Sequence, residues 1–171
     1  EDFYEFGTDV RIRGHLLATI NAEGPISEMV LFRRVARAWG IARIGNRISK
    51  RLEGLVPREC NRTLGGMTTF YWPAGIEPKS WRGLRVHDDH RLETCRHITE
   101  VCTEEIANLA AWLLAHNGRM DAQALARNVC MLVGMERVTD EALKHGRNGV
   151  DHLCESGRAI QQAGKVVSSD V

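Results

Sequence analysis

The sequence has no long hydrophobic run, no paired cysteine motif and almost no net charge, and these absences exclude several protein classes. Its longest apolar stretch, residues 106–115, contains Asn108 and is too short to span a bilayer. Its five cysteines are an odd number without a CxxC spacing, which does not indicate a disulfide framework. We therefore expect a cytoplasmic protein with reduced thiols and no membrane partner.

Motifs that would indicate catalysis are also missing. No GxxxxGK[ST] loop is present, so this chain is not expected to be a P-loop ATPase. Cys102, Cys130 and Cys154 fall on or beside apolar faces of predicted helices, where a thiol acts as a small hydrophobic side chain. We expect no enzymatic activity, no catalytic residue and no cofactor.

What the sequence does contain is an internal repeat. Residues 24–51 align with residues 118–145 at a constant offset of 94, without a gap. The identical pairs are Gly24/Gly118, Leu31/Leu125, Arg33/Arg127, Val35/Val129, Gly40/Gly134, Arg43/Arg137 and Lys50/Lys144. Apolar positions match apolar positions, and Gly40 and Gly134 match at the expected end of a helix. The pattern predicts two copies of one supersecondary unit.

The charge is distributed unevenly between these copies. The formal net charge of +1 is the sum of −4 over residues 1–9, +7 over residues 10–66 and −2 over residues 67–171. The first copy therefore has the charge of a polyanion binder, whereas the second does not.

Hydrophobic periodicity and turn residues predict the order of elements in the first copy. Ile12, Leu16 and Ile20 lie on one face of a first helix. After it we expect a short extended stretch at residues 25–26, a second helix with Ser27 as its N-cap, a third helix with an apolar face over residues 44–55, and a hairpin around residues 65–66. This order is typical of a winged helix-turn-helix.

The second copy follows the same plan, with helices predicted over residues 104–116, 121–133 and 139–154 and a hairpin ending at residues 165–167. The predicted fold class is mainly α with small β-hairpins, as tandem winged helix-turn-helix repeats. The predicted organisation is an acidic segment (1–9), a basic unit (10–72), a linker that packs on the units (73–97), a second unit (98–167) and a tail (168–171).

The third helix and hairpin of the first copy carry the candidate nucleic-acid contacts. The third helix of a winged helix commonly enters the major groove while the wing touches the backbone. The candidate residues are Arg43, Gly45, Asn46, Arg47, Lys50, Arg51, Arg58 and Arg62. The cations would contact phosphates, and Gly45 and Asn46 would let a phosphate approach bare amides at the helix start.

The corresponding start of the third helix in the second copy reads Thr139, Asp140 and Glu141, whose acids repel phosphate. We therefore expect DNA to bind the first copy, and the second copy to act as a scaffold or docking surface. Protein or interdomain docking without DNA contact is the main alternative for the whole chain. A freestanding transcription regulator is a weaker one, because no effector pocket or dimerisation helix stands out.

Other residues have competing interpretations. Because Arg33 recurs as Arg127, we interpret it as structural, through an acid or a backbone carbonyl, whereas Arg34 and Arg37 do not recur and would widen the basic face. Trp39, Trp112, Phe70 and Trp72 are expected in the core or hairpin. Base stacking by Phe70, Tyr71 or Trp72 is the alternative and needs an exposed ring.

Residues 87–97 contain several metal-ligand types: His87, Asp88, Asp89, His90, Cys95 and His97. Their HxxH and CxH spacings fit zinc only loosely, and they lie in the predicted linker. We interpret this stretch as a polar linker and expect no metal.

Residues 20–28 (INAEGPISE) and 31–48 (LFRRVARAWGIARIGNRI) resemble a closing segment of very large bacterial proteins, known as domain of unknown function 3320. The shared pattern is EGPI, an LxRRVxxAxG helix, and R-I/V-G-x-R-I. Those proteins are superfamily-1-type helicases that also carry a restriction-endonuclease-like module. The resemblance implies a DNA-processing or defence context, with the helicase and nuclease domains of the parent chain as partners. It implies no oligomeric state.

Overall fold

The computed structural model of the chain describes residues 3–169. Residues 1–2 of the acidic segment and 170–171 of the tail lie outside them. Helices predominate, with two small antiparallel sheets. The chain divides into two compact units, unit 1 (Glu1–Pro78) and unit 2 (Lys79–Val171).

Unit 1 contains three helices and a three-stranded sheet. In chain order they are α1 (Asp9–Glu23), β1 (Ile26–Ser27), α2 (Glu28–Ala38), α3 (Asn46–Leu55), β2 (Arg62–Gly65) and β3 (Thr68–Tyr71). The strands are antiparallel in the order β1-β3-β2, so the hairpin's second strand also pairs with the short strand before α2. A 3-10 helix, Pro78–Ser80, spans the boundary between the units.

Unit 2 repeats this order of elements. They are α4 (Thr103–Asn117), β4 (Met120–Asp121), α5 (Ala122–Leu132), α6 (Asp140–Glu155), β5 (Ala159–Gln162) and β6 (Lys165–Ser168). The strand order, β4-β6-β5, is equivalent. Two short 3-10 helices, Leu92–Thr94 and Ile98–Glu100, precede α4.

The first helix, first strand and second helix of the two units have equivalent bounds at an offset of 94. The residues Asp9, Glu23, Ser27 and Ala38 of unit 1 correspond to positions 103, 117, 121 and 132. It also holds for the first residues of α3 and α6, at 46 and 140. The last residues, at 55 and 155, differ by 100, and the hairpins by 97. Unit 2 therefore has a longer third helix.

Glycine ends the second helix in the same way in both units. Gly40 and Gly134 have φ of 73° and 100°, the left-handed conformation that favours glycine. In unit 1 the Ile41 amide donates to the Ala36 carbonyl, and in unit 2 the Met135 amide donates to the Cys130 carbonyl. This is the Schellman arrangement, and it confirms the helix end predicted at both glycines.

The start of α2 differs from the prediction. Ser27 is the N-cap residue, but its side chain makes no capping hydrogen bond, and its buried Oγ has no partner among the described residues. Ser27 also belongs to β1 and is 2% exposed. Its counterpart Asp121 does cap α5, accepting from the amides of Gln123 and Ala124. The expected side-chain cap therefore exists only in unit 2.

Each unit has its own hydrophobic core. In unit 1, Ile12, Leu16 and Ile20 of α1 pack with α2, Leu52 and Leu55 of α3. In unit 2, α4 is buried over much of its surface and packs on α5 and α6. Gly146 and Gly149 of α6 occupy the positions that correspond to Leu52 and Leu55, so α6 lies close to its neighbours.

Residues 81–97 are fastened to α4 by buried polar groups. Glu105 is fully buried, and its carboxylate accepts from the guanidinium groups of Arg85 (2.6 Å) and Arg96 (2.9 Å). The Asn108 amide donates to the Trp81 and Gly83 carbonyls. Burial opposes ionisation of Glu105, but the two arginines outweigh it and hold its pKa below the ordinary value.

We expect Glu105→Gln to destabilise unit 2 by about 2 kcal/mol, because two guanidinium groups lose their anionic partner. Since the folded pKa is depressed, this stabilisation is present above the ordinary carboxyl pKa and is lost as the pH falls through the folded value. The measurement is hydrogen exchange of α4 amides at several pH values. The difference between wild type and variant should shrink in acid, and a difference that does not depend on pH would contradict this account.

The two hairpins turn differently. Gly66 opens the first turn with φ of 64°, whereas the second turn has two left-handed residues, Ala163 at 49° and Gly164 at 76°. Two left-handed residues define a type I′ turn, for which Asn-Gly is preferred. Alanine at the first of these positions is strained.

Ala163→Asn is therefore expected to stabilise the second hairpin by about 0.5–1 kcal/mol, because asparagine tolerates a positive φ. The comparison variant is Ala163→Val, whose β-branched side chain should have the opposite effect. Hydrogen exchange of the β6 amides measures both. Equal protection in the two variants would show that the turn conformation is not the cause.

Candidate nucleic-acid interface

The start of α3 is open at the position predicted to meet a phosphate. Gly45 is the N-cap residue, and no side chain caps the helix there. The first amide that donates to the Gly45 carbonyl is that of Ile48. The amides of Asn46 and Arg47 come before it in the helix. Such amides lie at the positive end of the helix dipole, which favours an anion.

Cationic side chains lie before α3, along it and after it in the chain. Arg43, Arg47, Lys50, Arg58 and Arg62 are exposed, while Arg51 is partly buried. Positions 50 and 51 follow position 47 by three and four residues, so each of them neighbours Arg47 on the surface of α3. Within residues 3–169, Arg43, Lys50 and Arg58 form no ion pair, so their charges face solvent without compensation.

The N-terminal segment of unit 1 contacts two of the predicted arginines. Arg51 donates to Asp9 Oδ1 (2.5 Å) and Thr8 Oγ1 (3.1 Å). The Arg47 guanidinium carbon lies 4.2 Å from the centre of the Tyr4 ring. Phe3, beside Arg51, is buried in the core. Arg51 is thus compensated within unit 1, and Arg47 is held against an aromatic ring.

These contacts were not predicted from the sequence. Asp9 and Arg51 are separated by 42 positions, and local spacing carries no information about that pairing. The sequence carries only an indirect signal, which is that three aromatic residues, Phe3, Tyr4 and Phe6, lie within the acidic stretch over residues 1–9.

The hairpin presents one arginine and buries its aromatic residues. The Arg62 guanidinium carbon lies 5.3 Å from the centre of the Tyr71 ring. Phe70, Tyr71 and Trp72 are at most 1% exposed. The expectation of core or hairpin packing for Phe70 and Trp72 is confirmed, and the base-stacking alternative for these three rings is wrong, because stacking needs an exposed face.

Trp39 and Trp112, which were also expected in the core or hairpin, are less buried than predicted. Trp39 is partly buried, and its Nε1 donates to His15 Nδ1. Trp112 is 38% exposed and stacks on His116 with ring centres 4.1 Å apart. Trp112 therefore lies at the surface of unit 2, because only one side of α4 at this position faces the core.

The arginines of α2 have separate roles. The Arg33 Nε donates to the Met29 carbonyl at 3.1 Å, in keeping with the structural role expected for it. Arg34 forms an ion pair with Glu23. Arg37 is exposed in the last turn.

The corresponding surface of unit 2 has different electrostatics. The Thr139 side chain accepts from the Ala142 amide and closes the start of α6. Asp140 and Glu141 follow in the first turn, where unit 1 has Asn46 and Arg47. Arg137 and Lys144 retain the charges of Arg43 and Lys50. The two units thus share a pair of cations but differ at the helix start.

Residues 87–97 do not gather a ligand set. His87 Nδ1 lies 2.8 Å from Thr94 Oγ1, and His97 Nδ1 lies 2.6 Å from Thr99 Oγ1. The Cys95 thiol donates to the Gly134 carbonyl. No group of three His, Cys, Asp or Glu side chains able to hold a metal occurs within residues 3–169.

The cysteines are free thiols. Burial raises the pKa of Cys130 to about 11 and raises that of Cys102 well above its ordinary value. Both thiols therefore stay protonated near neutral pH, which disfavours a nucleophilic role.

No helix among the described residues is long and apolar enough to cross a membrane. Residues 1–50 match the family described as "Protein of unknown function (DUF3320)". This region covers α1, β1, α2 and the beginning of α3. No curated protein and no solved structure matches the chain.

Proposed function

We propose that unit 1 is a winged helix-turn-helix module that binds DNA, with α2 and α3 as the helix-turn-helix and the β2–β3 hairpin as its wing. Three helices, a tight connection after Gly40, and a hairpin whose second strand pairs with a short strand before α2 support this assignment. In such modules the third helix and the wing face the nucleic acid.

The observation that carries the proposal is the contrast between the starts of α3 and α6. The start of α3 is uncapped and lies in sequence between Arg43 and Lys50, two cations unpaired within residues 3–169, with Asn46 and Arg47 in its first turn. That of α6, by contrast, is capped by Thr139 and followed by two acids. The units have the same order of elements, so the scaffold does not require this difference. A phosphate would be attracted to the first helix and repelled from the second.

Each predicted contact receives a role in this proposal. Arg43 and Lys50 contact backbone phosphates. The amides of Asn46 and Arg47 donate to a further phosphate, which can approach because Gly45 has no side chain. Arg58 and Arg62 contact the backbone from the wing. The Arg47 side chain adds charge while stacked on Tyr4. Arg51 acts mainly by positioning the N-terminal segment, since Asp9 neutralises it.

The match over residues 1–50 and the resemblance described above supply the context. We infer that the chain is a non-catalytic accessory module of a cytoplasmic bacterial helicase–nuclease protein, with that protein's motor and nuclease domains as intramolecular partners. The module would hold DNA near the motor.

A second candidate function, docking onto those domains without DNA contact, is favoured by two observations. Arg51 is already compensated internally. Unit 2 also has an open groove of about 310 Å³ between α5 and α6, lined by apolar and charged side chains that include Ala126, Leu143 and Arg147. Such mixed lining is typical of a polar protein interface.

A fluorescence anisotropy titration of the full chain separates the two functions. Labelled duplex and single-stranded oligonucleotides would be titrated at several salt concentrations. If three to five cations contact phosphates, the plot of log K against log salt should have a slope between about −3 and −4.5 for duplex DNA. Absence of binding at low salt would reject the DNA function and leave docking.

A further inference from the structure

The tip of the β2–β3 hairpin carries two exposed apolar side chains. Leu64 is 77% exposed and Met67, within the turn, is 104% exposed. The chain reverses at residues 66–67, so Leu64 lies near the end of β2 and Met67 is itself a turn residue. Hairpin tips are usually polar, because nothing covers them.

The base of the same hairpin is fixed by polar and aromatic contacts. Thr63 points inward and accepts from the Trp72 indole at 2.9 Å, and Tyr71 donates to Glu28 at 2.8 Å. Arg62 and Leu64 are two residues apart and therefore share a face, the one that also carries Tyr71, the cross-strand partner of Arg62. Both side chains are nevertheless exposed. The hairpin thus has an anchored base, an exposed cation beside that base and an apolar end.

The hairpin of unit 2 shows that an apolar end is not needed for folding. It has the same strand length and register, displaced by 97 residues. Gln161 and Gly164 occupy the positions of Leu64 and Met67, and Ala159 that of Arg62. Only the hairpin that follows the cationic α3 has both the arginine and the apolar tip.

We propose that Leu64 and Met67 insert between bases at a fork or end of the duplex held by α3. This inference rests on the DNA-binding function proposed above and adds the kind of DNA that is recognised. Apolar wedges of leucine or methionine unstack base steps in other modes of DNA binding, and a frayed junction lowers the cost of that unstacking. Arg58 and Arg62 favour nucleic acid as the occupant, because they bring the tip to a phosphate backbone.

The test uses the full chain and a forked duplex with 2-aminopurine at the junction, whose fluorescence rises when the base unstacks. The same probe placed inside a continuous duplex is the substrate control. The variant is Leu64→Ser with Met67→Ser, and the matched variant is Ile160→Ser, which removes an exposed apolar side chain from the other hairpin.

We expect wild type and the Ile160→Ser variant to raise the junction signal, with little change at the internal probe. The double variant should lose most of this rise while keeping the salt slope of binding, since its phosphate contacts remain. Circular dichroism should be unchanged in both variants, because the replaced side chains are exposed.

The outcomes separate the two proposals. If wild type fails to bind any of the oligonucleotides, the DNA function fails and this inference fails with it. If wild type binds with its expected salt slope but gives no junction signal, or if the double variant gives the full signal, only the wedge is overturned. Binding of the tip to anionic phosphatidylserine vesicles without base unstacking would also overturn it, in favour of a lipid surface.

Discussion

Arg43→Glu combined with Lys50→Glu is expected to weaken duplex binding about 100-fold at 0.1 M salt, because two phosphate contacts become repulsive. The magnitude of the salt slope should fall by about 2. Both side chains are exposed and unpaired among residues 3–169, so the free energy of unfolding should change by less than about 0.5 kcal/mol. Anisotropy titrations across salt concentrations measure both quantities.

Unit 2 offers a matched control, because Arg137 and Lys144 are the repeat partners of these residues. Arg137→Glu with Lys144→Glu also takes the formal net charge from +1 to −3. It therefore reproduces any effect of overall charge. Binding should remain within about threefold of wild type, since Asp140 and Glu141 already make this surface unfavourable for phosphate. Equal losses in the two double variants would mean that α3 is not the DNA-binding element.

The sequence predicted the order of the helices and strands well because glycine and other turn residues mark the ends of the elements in both units. The helix predicted over residues 104–116 is Thr103–Asn117, and the one predicted over 121–133 is Ala122–Leu132. Hydrophobic periodicity located the buried faces, and glycines at 40 and 134 located the helix ends. Because the second copy repeats the first, each boundary was supported twice.

The details that the sequence did not reveal depend on tertiary contacts. Ser27 has the residue type of an N-cap, yet its participation in β1 and its burial leave Oγ without the expected bond. The stretch around Trp81 was predicted to be a packed linker, but nothing local indicated that Arg85 and Arg96 would share buried Glu105. Such pairings join residues that are distant in sequence.

In the candidate site, too, local sequence features were predictable and tertiary contacts were not. Composition and spacing identified the cations in α3 and immediately before it, and the structure distinguishes those with an anionic partner from those without one. Arg51 is paired with Asp9, whereas Arg43 and Lys50 are unpaired among residues 3–169. Leu64 and Met67 received no functional interpretation from the sequence, since apolar residues beside a turn are indistinguishable from core residues until the strand faces are assigned.

Gly149→Ala is expected to destabilise unit 2 by about 3 kcal/mol or more, because the helices α4 and α6 are too close to admit a methyl group. A Cβ at Gly149 would lie 2.0 Å from Ile106 Cγ2 and 2.5 Å from Ile106 Cβ. In unit 1 the residue that corresponds to Ile106 is Ile12, and the residue that corresponds to Gly149 is Leu55. One unit fills this space with leucine, and the other closes it by bringing the helices together.

The control is Gly54→Ala in α3, the same substitution at a helical glycine whose Cβ would meet nothing within 4 Å. There the variant should stabilise unit 1 by about 0.5–1 kcal/mol, since alanine restricts the unfolded chain more than glycine does. Hydrogen exchange measures the stability of each unit separately. The α4 amides report on Gly149→Ala in unit 2, and the α1 amides report on Gly54→Ala in unit 1. Opposite signs support the close helix approach in unit 2, and a Gly149→Ala variant as stable as wild type would refute it.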